Sequence, residues 1–143
     1  MRSVAITALI CGVVLVGFRA GHTNAAVTNC GTASIGPGAV GYKSTSGGAR
    51  CMLAAYLDHC RQARFRLSLF GVDTVATRDF RLVMISGRCA VAVTFSFRVV
   101  PQPAHVTGQG TCARLRAIGR SIVAESCKGH GVPATISLTA SAP

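Results

Sequence analysis

Two hairpin signals built on the same Gly-Arg dipeptide constrain this chain more than any other feature. The runs Phe80 to Ile85 and Val91 to Phe97 alternate apolar residues with polar or small ones, and they are joined at Ser86, Gly87, Arg88 and Cys89. A two-residue type II′ loop at Gly87-Arg88, with Gly where φ must be positive, sets Phe80 opposite Phe95, Leu82 opposite Val93 and Met84 opposite Val91. All three pairs fall on one face, as a sheet with a single buried side requires. The device recurs at Ile118-Gly119-Arg120-Ser121. There it sets Cys112 opposite Cys127, Arg114 opposite Glu125 and Leu115 opposite Ala124, predicting a disulfide and an opposite-charge pair from one register. In a hydrogen-bonded pair the two cysteine Cα atoms stand about 5.5 Å apart.

The N-terminus reads as a secretory leader. Arg2 provides the positive end, Val4 to Phe18 an uncharged apolar run, and Thr23 to Ala26 a small-residue cleavage site after Ala25 or Ala26. At 15 residues, with Gly12 and Gly17 inside it, the run is short of the roughly 20 that a membrane-spanning helix needs. A lipoprotein role for Cys11 fits poorly, because Ile10 precedes it where a small residue is expected. Removing the leader, here residues 1–26, changes the seven cysteines to six: Cys30, Cys51, Cys60, Cys89, Cys112 and Cys127. An even number in an exported chain implies a disulfide framework.

Residues 27–48 are rich in Gly, Ser and Thr and read as loop or irregular edge strand. Gly36, Gly38 and Gly41 match GxGxxG, and Lys43-Ser44 nearly completes a phosphate loop. The pattern is rejected because no helix is expected to open directly after it, and because Tyr42 stands where Gly should precede the Lys. Residues 49–143 form the expected single domain. Ala49 to Cys60 reads as its one helix, with Met52, Leu53, Tyr56, Leu57 and Cys60 at three- and four-residue spacing. Nine residues of helix would separate Cys51 from Cys60 by about 13 Å, too far for a bridge. Arg64 to Phe70 alternates as a half-buried strand, Gly71 to Asp79 as a polar connection, and Pro101 to Gly110 as a turn-rich loop. After a turn at Gly129-His130-Gly131, Val132, Ala134, Ile136 and Leu138 alternate as a last strand.

Strand order bears on the remaining bridges. A strand leaving the helix end and its antiparallel return bring the Gly87-Arg88 turn back to Cys60, favouring Cys60 to Cys89 and leaving Cys30 for Cys51. Four cysteines allow three pairings. The expected fold is therefore α+β: one helix packed on an antiparallel sheet of about five or six strands, stapled by disulfides.

Charge is the main functional hint. The leader carries Arg2 and Arg19, so the 15 basic residues of the chain become 13 against four acids, a net charge of +9. Alternation sets Arg64 and Arg66 on one outer strand face, Arg114 and Arg116 on another, and Arg81 and Arg98 opposite the buried phenylalanines. These six are the candidate anion-binding residues. Phe70 alone alternates with them, so stacking on bases is meagre and sequence-specific nucleic-acid reading is not expected. His59, His105 and His130 are isolated in sequence, with no CxxC, HExxH or GxSxG, and the expectation is no catalytic residue, no metal and no cofactor. Asp73 and Asp79 read as turn-capping residues, and His59 as a helix-end cation.

The stretch Ala49-Arg50-Cys51 through Cys60, with Gly71-Val72-Asp73-Thr74 and Gly87-Arg88-Cys89, resembles a scattered group of small secreted bacterial proteins of unassigned function. The match covers the middle third of the chain, and its motifs are structural, so the resemblance implies a fold and transfers no activity. A helix followed by an antiparallel meander is also similar in element order to cystatin-like and nuclear-transport-factor-like rolls. The expected protein is a secreted or periplasmic, cell-envelope binding protein without a stable transmembrane anchor. Its expected partner is an anionic envelope polymer or an acidic protein. An inhibitor of an extracellular enzyme would instead present a protruding loop at Val72 to Arg78 or Pro101 to Gly110. A small secreted hydrolase would need a cleft at His105 or His130.

Overall fold

A computed structural model of the chain describes residues 26–37 and 45–139. Residues 1–25 of the leader, Cys11 among them, and Gly38, Gly41, Lys43 and Ser44 lie outside the described residues. The elements are β1 (Thr28–Ile35), α1 (Thr45–Leu57), β2 (Ala63–Phe70), β3 (Thr74–Ile85), β4 (Arg88–Val99), β5 (His105–Ile118), β6 (Ser121–His130) and β7 (Thr135–Ser137). All seven strands belong to one sheet in sequence order, curled into a half-barrel. The sheet is larger than the five or six strands expected. The addition is β1, which pairs with β2 in parallel; every other pairing is antiparallel.

Curling lets one helix on the concave face contact both halves of the sheet, since α1 touches β1, β2 and β3 as well as β5 and β6. The core lies between them. Phe65, Leu67, Phe80, Leu82, Val91, Val93, Leu115, Ile122, Ile136 and Leu138 point inward against Ala49, Met52 and Ala55 of the helix. The Phe65 and Phe80 rings stack at 6.2 Å across β2 and β3. The helix approaches closely because its facing residues are small: a Cβ on Gly48 would meet the Phe65 ring at 2.3 Å. The helix starts at Thr45 rather than Ala49 and ends at Leu57, so Leu57 is exposed and Cys60 lies beyond the helix with φ 57°. A strand and a helix thus flank the GxGxxG segment after all, which removes one ground for rejecting it; Tyr42 before Lys43 still departs from a phosphate loop.

The first hairpin pairs two residues out from the expected register. Ile85 faces Arg88, Met84 faces Cys89, Leu82 faces Val91 and Phe80 faces Val93. Its loop is Ser86-Gly87 with φ of 49° and 74°, the type I′ signature, in which both central residues take positive φ. A shift of two keeps every side chain on its expected face, but Met84 now lies past the end of the core and is 58% exposed. Phe95 moves opposite Arg78, whose guanidinium sits 5.7 Å from its ring centre. The second hairpin has the expected register, with Cys112 opposite Cys127, Arg114 opposite Glu125 and Leu115 opposite Ala124. Its cysteine Cα atoms are 3.8 Å apart, closer than expected. Ser126 beside them takes φ 55°, and the Cys127 N–H donates to the Ala134 carbonyl.

Three disulfides, Cys30–Cys51, Cys60–Cys89 and Cys112–Cys127, join the pairs that strand order favours. They fit an oxidising or extracellular compartment. Among the described residues no helix is long and apolar enough to cross a membrane.

Two expected loops are strand instead. Thr74 to Asp79 belongs to β3, and Gly108 to Gly110 and Gly129 to β5 and β6. These glycines face one another: a Cβ on Gly129 would meet the Gln109 carbonyl oxygen at 2.1 Å, and one on Gly110 the Lys128 carbonyl oxygen at 2.3 Å. They mark close backbone approach inside the ladder rather than turns.

Candidate functional site

Side chains alternate across a strand, so filling the concave face with apolar residues sends the polar set to the convex face. Strand register then aligns that set in rows. One row reads Asn29, Arg64, Arg81, Ala92, Thr111 and Lys128 across six strands, and the next reads Thr32, Arg66, Asp79, Thr94, Gln109 and His130.

Arg64, Arg66 and Arg81 share a shallow hollow with Asn29, Thr32 and Asp79. Arg98 lies in an adjoining hollow that also reaches Arg66, Asp79 and Phe70. Arg114 is in a separate hollow over β4 to β6, with Arg88 and Lys128. Arg116 is spent: its Nη2 donates to Glu125 Oε1 at 2.7 Å. The ion pair expected for Arg114 is therefore made by Arg116 diagonally, although Arg114 is the residue directly opposite Glu125. Asp79 does not cap a turn. It sits directly across from Arg66 and accepts two hydrogen bonds from it, at 2.7 and 3.2 Å. That hydrogen bonding, with the carboxylate's charge, raises the Arg66 pKa further above its ordinary value, so Arg66 stays charged.

The acids are consumed unevenly. Asp79 and Glu125 neutralise Arg66 and Arg116, and Asp58 lies 3.6 Å from Arg61 and from His59. Among the described residues no carboxylate lies within ion-pair distance of Arg64, Arg81, Arg88, Arg98, Arg114 or Lys128. Arg64 and Arg81 are also direct cross-strand neighbours, an arrangement that like charge makes unfavourable. Arg88, Lys128, Asn29 and Thr32 escaped sequence reasoning. Alternation could have flagged Thr32 and Arg88 only once β1 was recognised as a strand and the first hairpin was in register.

The histidines are dispersed. His59 is exposed, His105 packs edge-on to Phe97 at 6.0 Å, and His130 lies opposite Gln109. Among the described residues no group of three or more His, Cys, Asp or Glu could hold a metal ion.

The fold and face together define a disulfide-stapled, curled sheet around one helix, with an arginine-bearing convex surface. Compared with known family models, curated proteins and solved structures, the chain matches none.

Proposed function

We propose that this is an exported, non-enzymatic binding protein whose convex sheet face takes an anionic partner, a cell-envelope polymer or an acidic protein. The observation that carries the reading is the concentration of unneutralised guanidinium groups, Arg64, Arg81 and Arg98, around one pair of adjoining hollows. Such a face raises encounter rates with polyanions, and binding through it releases counterions and weakens with salt. Three disulfides suit a protein that works outside the reducing cytoplasm. The test is a pull-down of oxidised protein with envelope fractions and with polyphosphate across a salt series. Binding that fades between about 0.05 and 0.5 M salt supports the reading; absent or salt-insensitive binding overturns it.

A second reading, an inhibitor or other protein-docking wedge, draws on the loops at the strand ends next to Arg98, away from Arg64 and Arg81. The Gly71–Asp73 turn and the Val100–Ala104 loop are tied there by the Val100 N–H donating to the Asp73 carbonyl at 2.8 Å. Val72 is 90% exposed, and Val99, Val100 and Val106 are exposed as well. Loss of stoichiometric inhibition of a secreted hydrolase in Val72→Ser/Val100→Ser would support this reading over the first.

A further inference from the structure

Strand β3 outruns its neighbour. The β2 register begins with Arg64 opposite Arg81, and Leu82 to Ile85 continue with no β2 partner. The step leaves an open groove whose lining includes Val27, Gln62, Arg64, Arg81, Val83 and Met84. Val27 and Val83 alternate onto the arginine face, and Met84, 58% exposed, projects from the opposite face of β3 and closes the groove at the open strand edge. The same arginines line the hollow on the convex face with Asn29 and Thr32. The carboxylate nearest in register, Asp79, already gives both oxygens to Arg66.

We infer that Arg64 and Arg81 clamp the oxyanion head of an amphiphile, a phosphate or sulfate ester, whose alkyl chain lies along Val27 and Val83 and passes over the open edge of β3 to Met84. This rests on the reading of the convex face as anion-binding and narrows it to one site and one ligand class. Two guanidinium forks on facing strands match a tetrahedral oxyanion, and an anion between them relieves their mutual repulsion. Met84 is flexible and polarizable, which suits an alkyl chain. Inorganic phosphate satisfies only half of the site.

The test is calorimetric titration of the oxidised protein with octyl phosphate, inorganic phosphate and octyl glucoside, each below its micelle concentration. Octyl phosphate is expected to bind at least about tenfold more tightly than either half-probe. Arg64→Gln/Arg81→Gln should abolish phosphate binding and reduce octyl phosphate to the level of octyl glucoside. Met84→Ser should weaken octyl phosphate about threefold and leave inorganic phosphate unchanged. All three side chains are exposed, so the variants keep the fold, and circular dichroism verifies it. The proposal is overturned if octyl phosphate binds no more tightly than octyl glucoside, or binds Arg64→Gln/Arg81→Gln as well as the parent. Polyphosphate titrated in parallel separates the two failures: retained polyphosphate binding leaves the broader reading standing, and its loss removes both.

Discussion

Replacing Asp79 by Asn is expected to weaken the fold and strengthen anion binding, two effects of opposite sign from one charge. Asp79 and Arg81 lie two residues apart on β3, on the same face, so an anion held at Arg81 stands about 7 Å from the carboxylate. At that distance the repulsion is about 0.6 kcal/mol per unit of ligand charge in a water-like dielectric, close to a threefold change in affinity. At 0.15 M salt, screening cuts it to about 0.25 kcal/mol, or about 1.5-fold. The lost Arg66 pair is half-exposed, 56% on the arginine side and 29% on the aspartate side, so its removal costs about 0.5–1 kcal/mol. Urea denaturation measures the stability change, and titration with inorganic phosphate at two ionic strengths measures the affinity ratio. If Asp79→Asn binds phosphate equally or more weakly at low salt while remaining folded, the convex hollow is not where the anion sits.

Phe80→Ala should cost about 3–5 kcal/mol in urea denaturation, because Phe80 is fully buried and stacked on Phe65, whereas exposed Met84→Ala should cost less than about 0.5 kcal/mol; similar losses would refute the inward and outward assignment. Gly47→Ala, with open space around its Cβ in the first turn of α1, should be neutral or stabilise by up to about 1 kcal/mol. Gly129→Ala, which drives a Cβ into the Gln109 carbonyl, should destabilise by about 2 kcal/mol or more, and the thermal midpoints of the two variants check the contrast. Cys60→Ala/Cys89→Ala opens a bridge of sequence separation 29, for which loop entropy gives a loss of about 3.6 kcal/mol. A loss under about 1 kcal/mol in denaturant would show that the helix end and the first hairpin hold together without it.

The sequence was most legible where a structural decision is local. Gly119 takes the positive φ that its hairpin needs, with φ 57°, and the register of β5 on β6 follows from that residue alone. The first hairpin misleads because Ser86, not a glycine, supplies one of its two positive-φ positions. The error of two residues preserved the faces and misplaced only the end of the core, which is why Met84 is the residue that changes character. Strand β1 was legible only as loop or irregular edge strand because its residues are small and polar. It is held by parallel pairing with β2 and by Cys30–Cys51, both of which depend on residues far along the chain. The glycines at 108, 110 and 129 looked like turns for a related reason, since what they accommodate is a carbonyl on the neighbouring strand. For the candidate site, alternation alone sent Arg64 and Arg81 outward. That they face each other, and that Asp79 neutralises Arg66 and leaves them bare, depends on the β2–β3 register.

The measurement that bears most directly on the convex face is residue-resolved amide shift mapping of the oxidised protein titrated with polyphosphate. Perturbations should cluster on Arg64, Arg66, Thr77, Asp79, Arg81 and Arg98 and diminish with salt. Shifts that leave Arg64, Arg66, Asp79 and Arg81 unperturbed and are confined to Val72, Val99 and Val100 would contradict the anionic-partner account and favour the Gly71–Asp73 and Val100–Ala104 loops as the working surface; shifts scattered over the surface would contradict it without favouring another.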